Sequence, residues 1–351
     1  MAARELESIV QQKPILWVGA GLSVAAGYPS TGAILSDLHA AAGRDLPDGE
    51  FTEVIDAFVA AVGAGELGDV LQLLFQNPHE PTATHRAIAR LAAAGRFTAI
   101  VTTNYDDLLE RALAAAGVKV VVQTLEHNAA VRLQDGAVRL IKIHGSYTAW
   151  HDVILSGRSY LEYEARYGFL RAQLDVLLQQ QPLLFVGCSL QDPRVLQWLE
   201  GRPTEWLAKL KRWRAVMQPA AWTAAQAMVW KDGTAGTMLA RAPLQPIEIQ
   251  RHDELVPLFL ELAKKLAPLA VSELVFDLHP AEDTWRSVGP TPDFGPHTTP
   301  SPLLDDEVLR HLKRLRTHPP RRTCATHRPR QAGRGSSIHA AHAETPRKLQ
   351  S

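Results

Sequence analysis

Cysteine is almost missing from this chain: 351 residues contain two, Cys188 and Cys324. A disulfide framework and any four-thiolate zinc site are therefore excluded, and no structural metal is expected. Charge of one sign is also lacking. Lys plus Arg total 37, Asp plus Glu total 37, and the formal net charge is zero. The bulk electrostatic basis of a nucleic-acid binder is thus absent, and direct nucleic-acid binding is not expected. Long apolar runs are missing too. The longest, residues 182–190, is of strand length, far short of the roughly 18 residues of a membrane span. The opening MAARELESIVQQK has no apolar stretch of the signal-peptide kind. These absences predict a soluble, cytoplasmic protein without membrane contact. With 46% hydrophobic and 21% charged residues, the chain has the composition to bury a core.

Short apolar runs alternate with alanine- and leucine-rich stretches. Strands are predicted at 14–18, 98–102, 118–123, 138–143 and 183–186, with weaker ones at 214–217 and 247–250. Helices are predicted at 31–42, 50–62, 67–75, 84–94, 106–116, 158–181, from Pro193 to about residue 199, and at 254–266. In the last of these, Leu255, Leu258, Phe259 and Leu262 share a face. Strand–helix alternation predicts an α/β fold: a doubly wound, Rossmann-like parallel sheet, with a smaller helical insert lobe at about 50–94. After Asp277 the composition shifts to Pro, His, Arg and Thr. The catalytic domain is therefore placed at 1–276. Residues 277–351 are predicted to be a largely disordered tail, apart from a short helix at 305–315.

Polar motifs recur where predicted strands finish. GAGLS (19–23) ends the first strand, TTNYDD (102–107) the second, KIHGS (142–146) the fourth and GCSLQDP (187–193) the fifth. A strand running into Gly-x-Gly before a helix can hold a pyrophosphate. The third glycine of a dinucleotide fingerprint is replaced by Val24, and no ribose-binding acid follows the next strand. That argues against an ordinary dehydrogenase. Taken singly, each motif has another explanation. GAGLS serves as a plain tight turn, Asn104 and Asp106 as helix caps, His144 as a core histidine, and Ser189 with Asp192 as a cap before Pro193. Together, four polar clusters at the carboxyl ends of parallel strands predict one crevice.

GAGLS with the downstream GYP, then TTNYD, KIHGS and GCSLQDP in this order, resemble the sirtuin family of NAD-consuming enzymes. The similarity is greatest to the sirtuin-like branch found in bacterial antiphage defence, and it covers about residues 14–266. The resemblance implies that Gly19, Ala20, Gly21 and Ser23 form the phosphate-binding turn. It places Pro29 in the loop that closes over the cofactor. Asn104 and Asp106 match residues beside the nicotinamide and its ribose, with Thr103 next to them in the cofactor-binding set. His144 matches the catalytic histidine, and Gly187 and Ser189 match residues that bind the adenosine-phosphate part.

Two departures from protein-deacylating sirtuins matter. Those enzymes continue the loop with Asp-Phe-Arg, whereas Ser30, Thr31 and Gly32 stand here. They also insert a four-cysteine zinc module after the HG motif, whereas residues 146–186 contain no cysteine. Without that module a peptide groove is in doubt, and water is the default nucleophile. The implied activity is NAD hydrolysis at the nicotinamide–ribose bond, giving nicotinamide and ADP-ribose. Asn104, Asp106 and His144 are the implied catalytic residues and NAD is the substrate. An NAD-dependent deacylase and a non-catalytic NAD or ADP-ribose sensor are the alternatives. An NAD-depleting effector has to be held off, so a homo-oligomer or a separate sensor protein is expected.

Overall fold

The computed structural model describes residues 1–76, 78–124, 136–190, 213–227 and 244–268. The predicted helix from Pro193, Asp192, Cys324 and the predicted tail at 277–351 lie outside the described residues. Seven strands form one sheet: β1 (Ile15–Val18), β2 (Ala99–Thr102), β3 (Val120–Gln123), β4 (Val138–Lys142), β5 (Leu183–Val186), β6 (Trp213–Met217) and β7 (Leu244–Glu248). Their order is β3-β4-β2-β1-β5-β6-β7 and every pairing is parallel. The sheet is therefore doubly wound. The chain builds outward from β1 through β2 on one side, then returns to add β5 against the other side of β1.

Strand residues alternate between two cores. Leu16, Val18, Ile100, Leu140, Leu184 and Val186 face α1 (Ala2–Gln11), α6 (Ala83–Ala93), α7 (Leu108–Ala115) and α10 (Leu255–Leu266). Ile15, Trp17, Val101, Ile141, Leu183 and Phe185 face α8 (Gly157–Gln180), which breaks helical geometry at Tyr167, and α9 (Pro219–Ala227). Burial on both faces explains why β1, β2 and β5 read as unbroken apolar runs. Among the described residues β7 is an edge strand, the place in a sheet where a proline such as Pro246 is tolerated. α1 was not predicted, although Leu6, Ile9 and Val10 have helical spacing and are buried.

A third apolar cluster lies at the carboxyl ends of the strands. It joins α3 (Thr31–Ala42), α4 (Phe51–Val62) and α5 (Ala64–Phe75) to Tyr28, Leu108, Val153 and Leu155. This is the smaller helical lobe, and α6 packs with the sheet core instead. Among the described residues no helix is long and apolar enough to cross a membrane.

α6 begins with a capping arrangement built on His85. The Thr82 amide donates to His85 Nδ1 at 3.2 Å, and the His85 amide donates to Thr82 Oγ1 at 3.4 Å. The imidazole is buried, which pushes its pKa down to about 4 against a weaker upward pull from Asp106. Between pH 6.5 and 4 the unfolded chain therefore binds a proton that the folded chain refuses. Stability is full above pH 6.5 and falls toward pH 4, by ~1.4 kcal/mol per unit and ~3 kcal/mol in all. His85→Gln, which keeps a side chain suited to the third helical position, is expected to lose this component. Urea midpoints for both proteins at pH 7, 5.5 and 4.5 check it, and parallel pH dependences would contradict a buried neutral His85.

Candidate active site

The order in which strands are added reverses between β1 and β5, and a ligand crevice in an open α/β sheet opens at such a point. Two glycine turns meet there, backbone on backbone. Gly19 N donates to Val186 O at 3.0 Å, Gly21 N to Gly187 O at 2.9 Å and Leu22 N to Gly19 O at 3.2 Å. A Cβ on Gly19 would lie 2.6 Å from Gly187 O, and one on Gly21 would lie 2.9 Å from the same atom. Gly187 has φ +68°, and a Cβ there would lie 2.7 Å from Leu22 Cδ1. No side chain fits at these three positions without displacing the neighbouring loop. From the far end of the chain, His252 Nε2 donates to Gly21 O at 2.9 Å.

The short helix α2 (Gly21–Val24) then presents Ser23 to the loop after β2. Asn104 Nδ2 donates to Ser23 Oγ at 2.8 Å and to Gly19 O at 3.1 Å. Ser23 Oγ donates to Asp106 Oδ2 at 2.5 Å, while Asp106 Oδ1 accepts the Leu108 amide at 3.0 Å. Thr102 Oγ1 donates to Val18 O at 2.9 Å and accepts the Asn104 amide at 3.0 Å, which sets the loop's exit from the sheet. Ser23, Asn104 and Asp106 are all buried. Within this network Asn104 Oδ1 is buried with no hydrogen-bond partner among the described residues. Such an atom is costly unless a donor group completes it.

β4 lies beside β2, and His144 follows it by two residues. Ile143 N donates to Thr102 O at 3.0 Å, so the strand pairing runs almost to the histidine. His144 O accepts the Ile154 amide at 3.0 Å, and its buried ring lies 6.4 Å from the Tyr105 ring, centroid to centroid. Tyr105 OH donates to Ile154 O at 2.9 Å, so the Tyr105 side chain spans the same segment. Tyr28 is also buried, and its phenol is pushed up to about 12 by burial and by the carboxylates of Asp106 and Asp107. Pro29, the next residue, is buried as well. Ser30, the first of the three residues that stand in place of Asp-Phe-Arg, caps α3 by accepting the Ala33 amide at 3.2 Å. Thr103 N reaches Val18 O at 3.4 Å, while Ala20 and Ser189 are exposed.

Gly19, Ser23, Asn104 and Asp106 are thus joined in one hydrogen-bonded unit, with Gly21 and Gly187 interlocked beneath it and His144 one strand over. Lys142 and His252 carried no assignment in the sequence. Lys142 had a signal, a cation inside an apolar strand. His252 had none, because its partner Gly21 is 231 positions away. Among the described residues no group of three or more His, Cys, Asp or Glu side chains is placed to hold a metal ion.

Residues 98–231, which carry Asn104, Asp106, His144 and Gly187, match the model of the SIR2-like domain family. Over 193 residues the chain is 25% identical to the NAD(+) hydrolase ThsA of Bacillus cereus (strain MSX-D12), a match covering 54% of this chain and 40% of that one. It is 23% identical over 214 residues to defense-associated sirtuin 2 of Bacillus subtilis, covering 59% and 20% respectively. The chain therefore spans less than half the length of these curated relatives. A solved Sir2 homolog–NAD complex superposes over 75% of this chain and 94% of its own, with a TM-score of 0.40 and 14% identity.

The glycine interlock generates a test with an internal control. Gly187 and Gly95 have φ values of +68° and +65°, but a Cβ on Gly95 meets nothing within 4 Å. Alanine at either carries the left-handed backbone cost of ~1–2 kcal/mol. Only Gly187→Ala adds the overlap with Leu22, worth a further ~1–3 kcal/mol. Urea unfolding of the two variants checks the difference.

Proposed function

We propose that the protein is an NAD hydrolase that cleaves the nicotinamide–ribose bond with water, releasing nicotinamide and ADP-ribose. The observation that carries this is the buried Ser23–Asn104–Asp106 unit at the switch point, with Asn104 Oδ1 left for a donor. A ribose hydroxyl or a water molecule supplies such a donor, so the site suits a nucleotide sugar. The names of the two curated relatives, an NAD(+) hydrolase and a defense-associated sirtuin, support the same reading and extend it to an NAD-depleting effector of antiphage defence.

Nicotinamide leaves NAD as a neutral molecule from a cationic ring, so departure needs no general acid. The barrier lies in developing positive charge on the ribose and in delivering the nucleophile, which are problems of placement and electrostatics. In this scheme Gly19, Ala20, Gly21 and Ser189 hold the phosphates and adenosine, beside Gly187 and Thr103, and Pro29 closes the loop over them. Asp106 sets the hydroxyl of Ser23, and through it the amide of Asn104. Its remaining lone pairs take the carboxamide of nicotinamide. Asn104 Oδ1 holds the ribose hydroxyl or the water, and His144 accepts the proton, a task suited to an imidazole near neutral pH. Control of such an activity falls to self-association or to a separate regulatory protein.

His144→Ala and Asn104→Ala are expected to lower nicotinamide release by about 10²–10⁴-fold, with a smaller effect on NAD affinity. Turnover per folded molecule, with thermal unfolding of the same samples, checks this. If His144→Ala keeps wild-type turnover per folded molecule, the assigned chemistry is wrong.

A further inference from the structure

Lys142 is fully buried at the end of β4, with 0% side-chain exposure. Its ammonium has three protons and three acceptors: Glu110 Oε1 at 2.8 Å, Asp106 O at 2.5 Å and Tyr105 O at 3.3 Å. Glu110 lies in the first turn of α7 and supplies the counter-charge that makes burial of the cation tolerable. The other two contacts are to backbone carbonyls of the loop that carries Asn104. The Tyr105 carbonyl also accepts the Tyr147 amide at 3.0 Å and the Ser146 hydroxyl at 3.4 Å. Lys142, Ser146 and Tyr147 all belong to the segment that bears His144, so this carbonyl is a joint between the two halves of the site.

We propose that Lys142 is a positioning residue for bond cleavage, holding the 103–107 loop against the His144 segment so that Asn104 and His144 keep a fixed relation. The proposal rests on the NAD-hydrolase reading. Lys142 does not act as a charge on the reacting atoms, because its protons are spent on Glu110 and the loop. It is the only described side chain that ties both the Tyr105 and the Asp106 carbonyls. Lysine suits the place because three donors on one nitrogen match three convergent acceptors, whereas arginine's planar fork does not.

Removing Lys142 alone would strand the Glu110 carboxylate and could unfold the chain. The informative protein is therefore Lys142→Met with Glu110→Gln, which removes both charges and keeps the volume. It is compared with the wild-type full chain by thermal unfolding, by amide hydrogen exchange without nucleotide, and by nicotinamide release from NAD. The double variant is expected to fold and to exchange amides 103–107 about tenfold faster, while β1 and β5 stay protected. Its kcat is expected to fall on the order of 10²-fold, as loss of reacting geometry does, with KM changed less than about threefold. A folded double variant with unchanged exchange at 103–107 would overturn the tether. Faster exchange with wild-type kcat would overturn its part in cleavage. A wild-type chain that releases no nicotinamide would instead overturn the NAD-hydrolase reading, and with it the part assigned to Lys142 in cleavage; exchange would still decide the tether.

Discussion

The site depends on the meeting of two backbones at the sheet's switch point. Gly19 and Gly21 on one side and Gly187 on the other leave no room for a Cβ, and Gly187 also needs a left-handed φ. Only this approach lets the turns after β1 and β5 share hydrogen bonds. α2 then starts where it does, and Ser23 faces the loop after β2. If the two turns were wider, Ser23 would lose Asn104 and Asp106, and two buried polar side chains would each lose one partner. Each such loss costs about 1–3 kcal/mol, more for a charged group.

Above that joint, the site is a set of buried polar groups that satisfy one another. The Asp106 carboxylate takes a hydroxyl proton and an amide proton, and the Lys142 ammonium takes a carboxylate and two carbonyls. Networks of this kind are rigid because a displaced member leaves its neighbours unpaired in a medium of low dielectric. The buried amide oxygen of Asn104 is where this accounting stays open. The helical lobe shapes the approach with aromatic side chains. Tyr28 packs on Phe75 with ring centroids 5.3 Å apart, and Phe75 meets both Tyr105 and Trp150. The same ring cluster therefore reaches from the loop carrying Pro29 to the tyrosine beside His144.

The chain by itself determined most of the architecture. Two-sided burial makes central parallel strands continuous apolar runs, and glycine closes the helices before Gly43, Gly95 and Gly117, so strand order in the chain and the positions of the four polar motifs were legible at once. α1 and the extent of the helical lobe were less so, since which helix packs on which core depends on partners distant in the chain. What the tertiary structure decided is pairing. The motifs told that Ser23, Asn104, Asp106 and His144 stand at strand ends, but not that Ser23 bridges Asn104 to Asp106, nor that His252 holds the Gly21 carbonyl, nor that Lys142 is spent on the loop beneath Asn104. Those bonds join residues from 36 to 231 positions apart. Local propensity and periodicity act over a few residues, whereas such contacts exist only once the sheet has set the order of its strands.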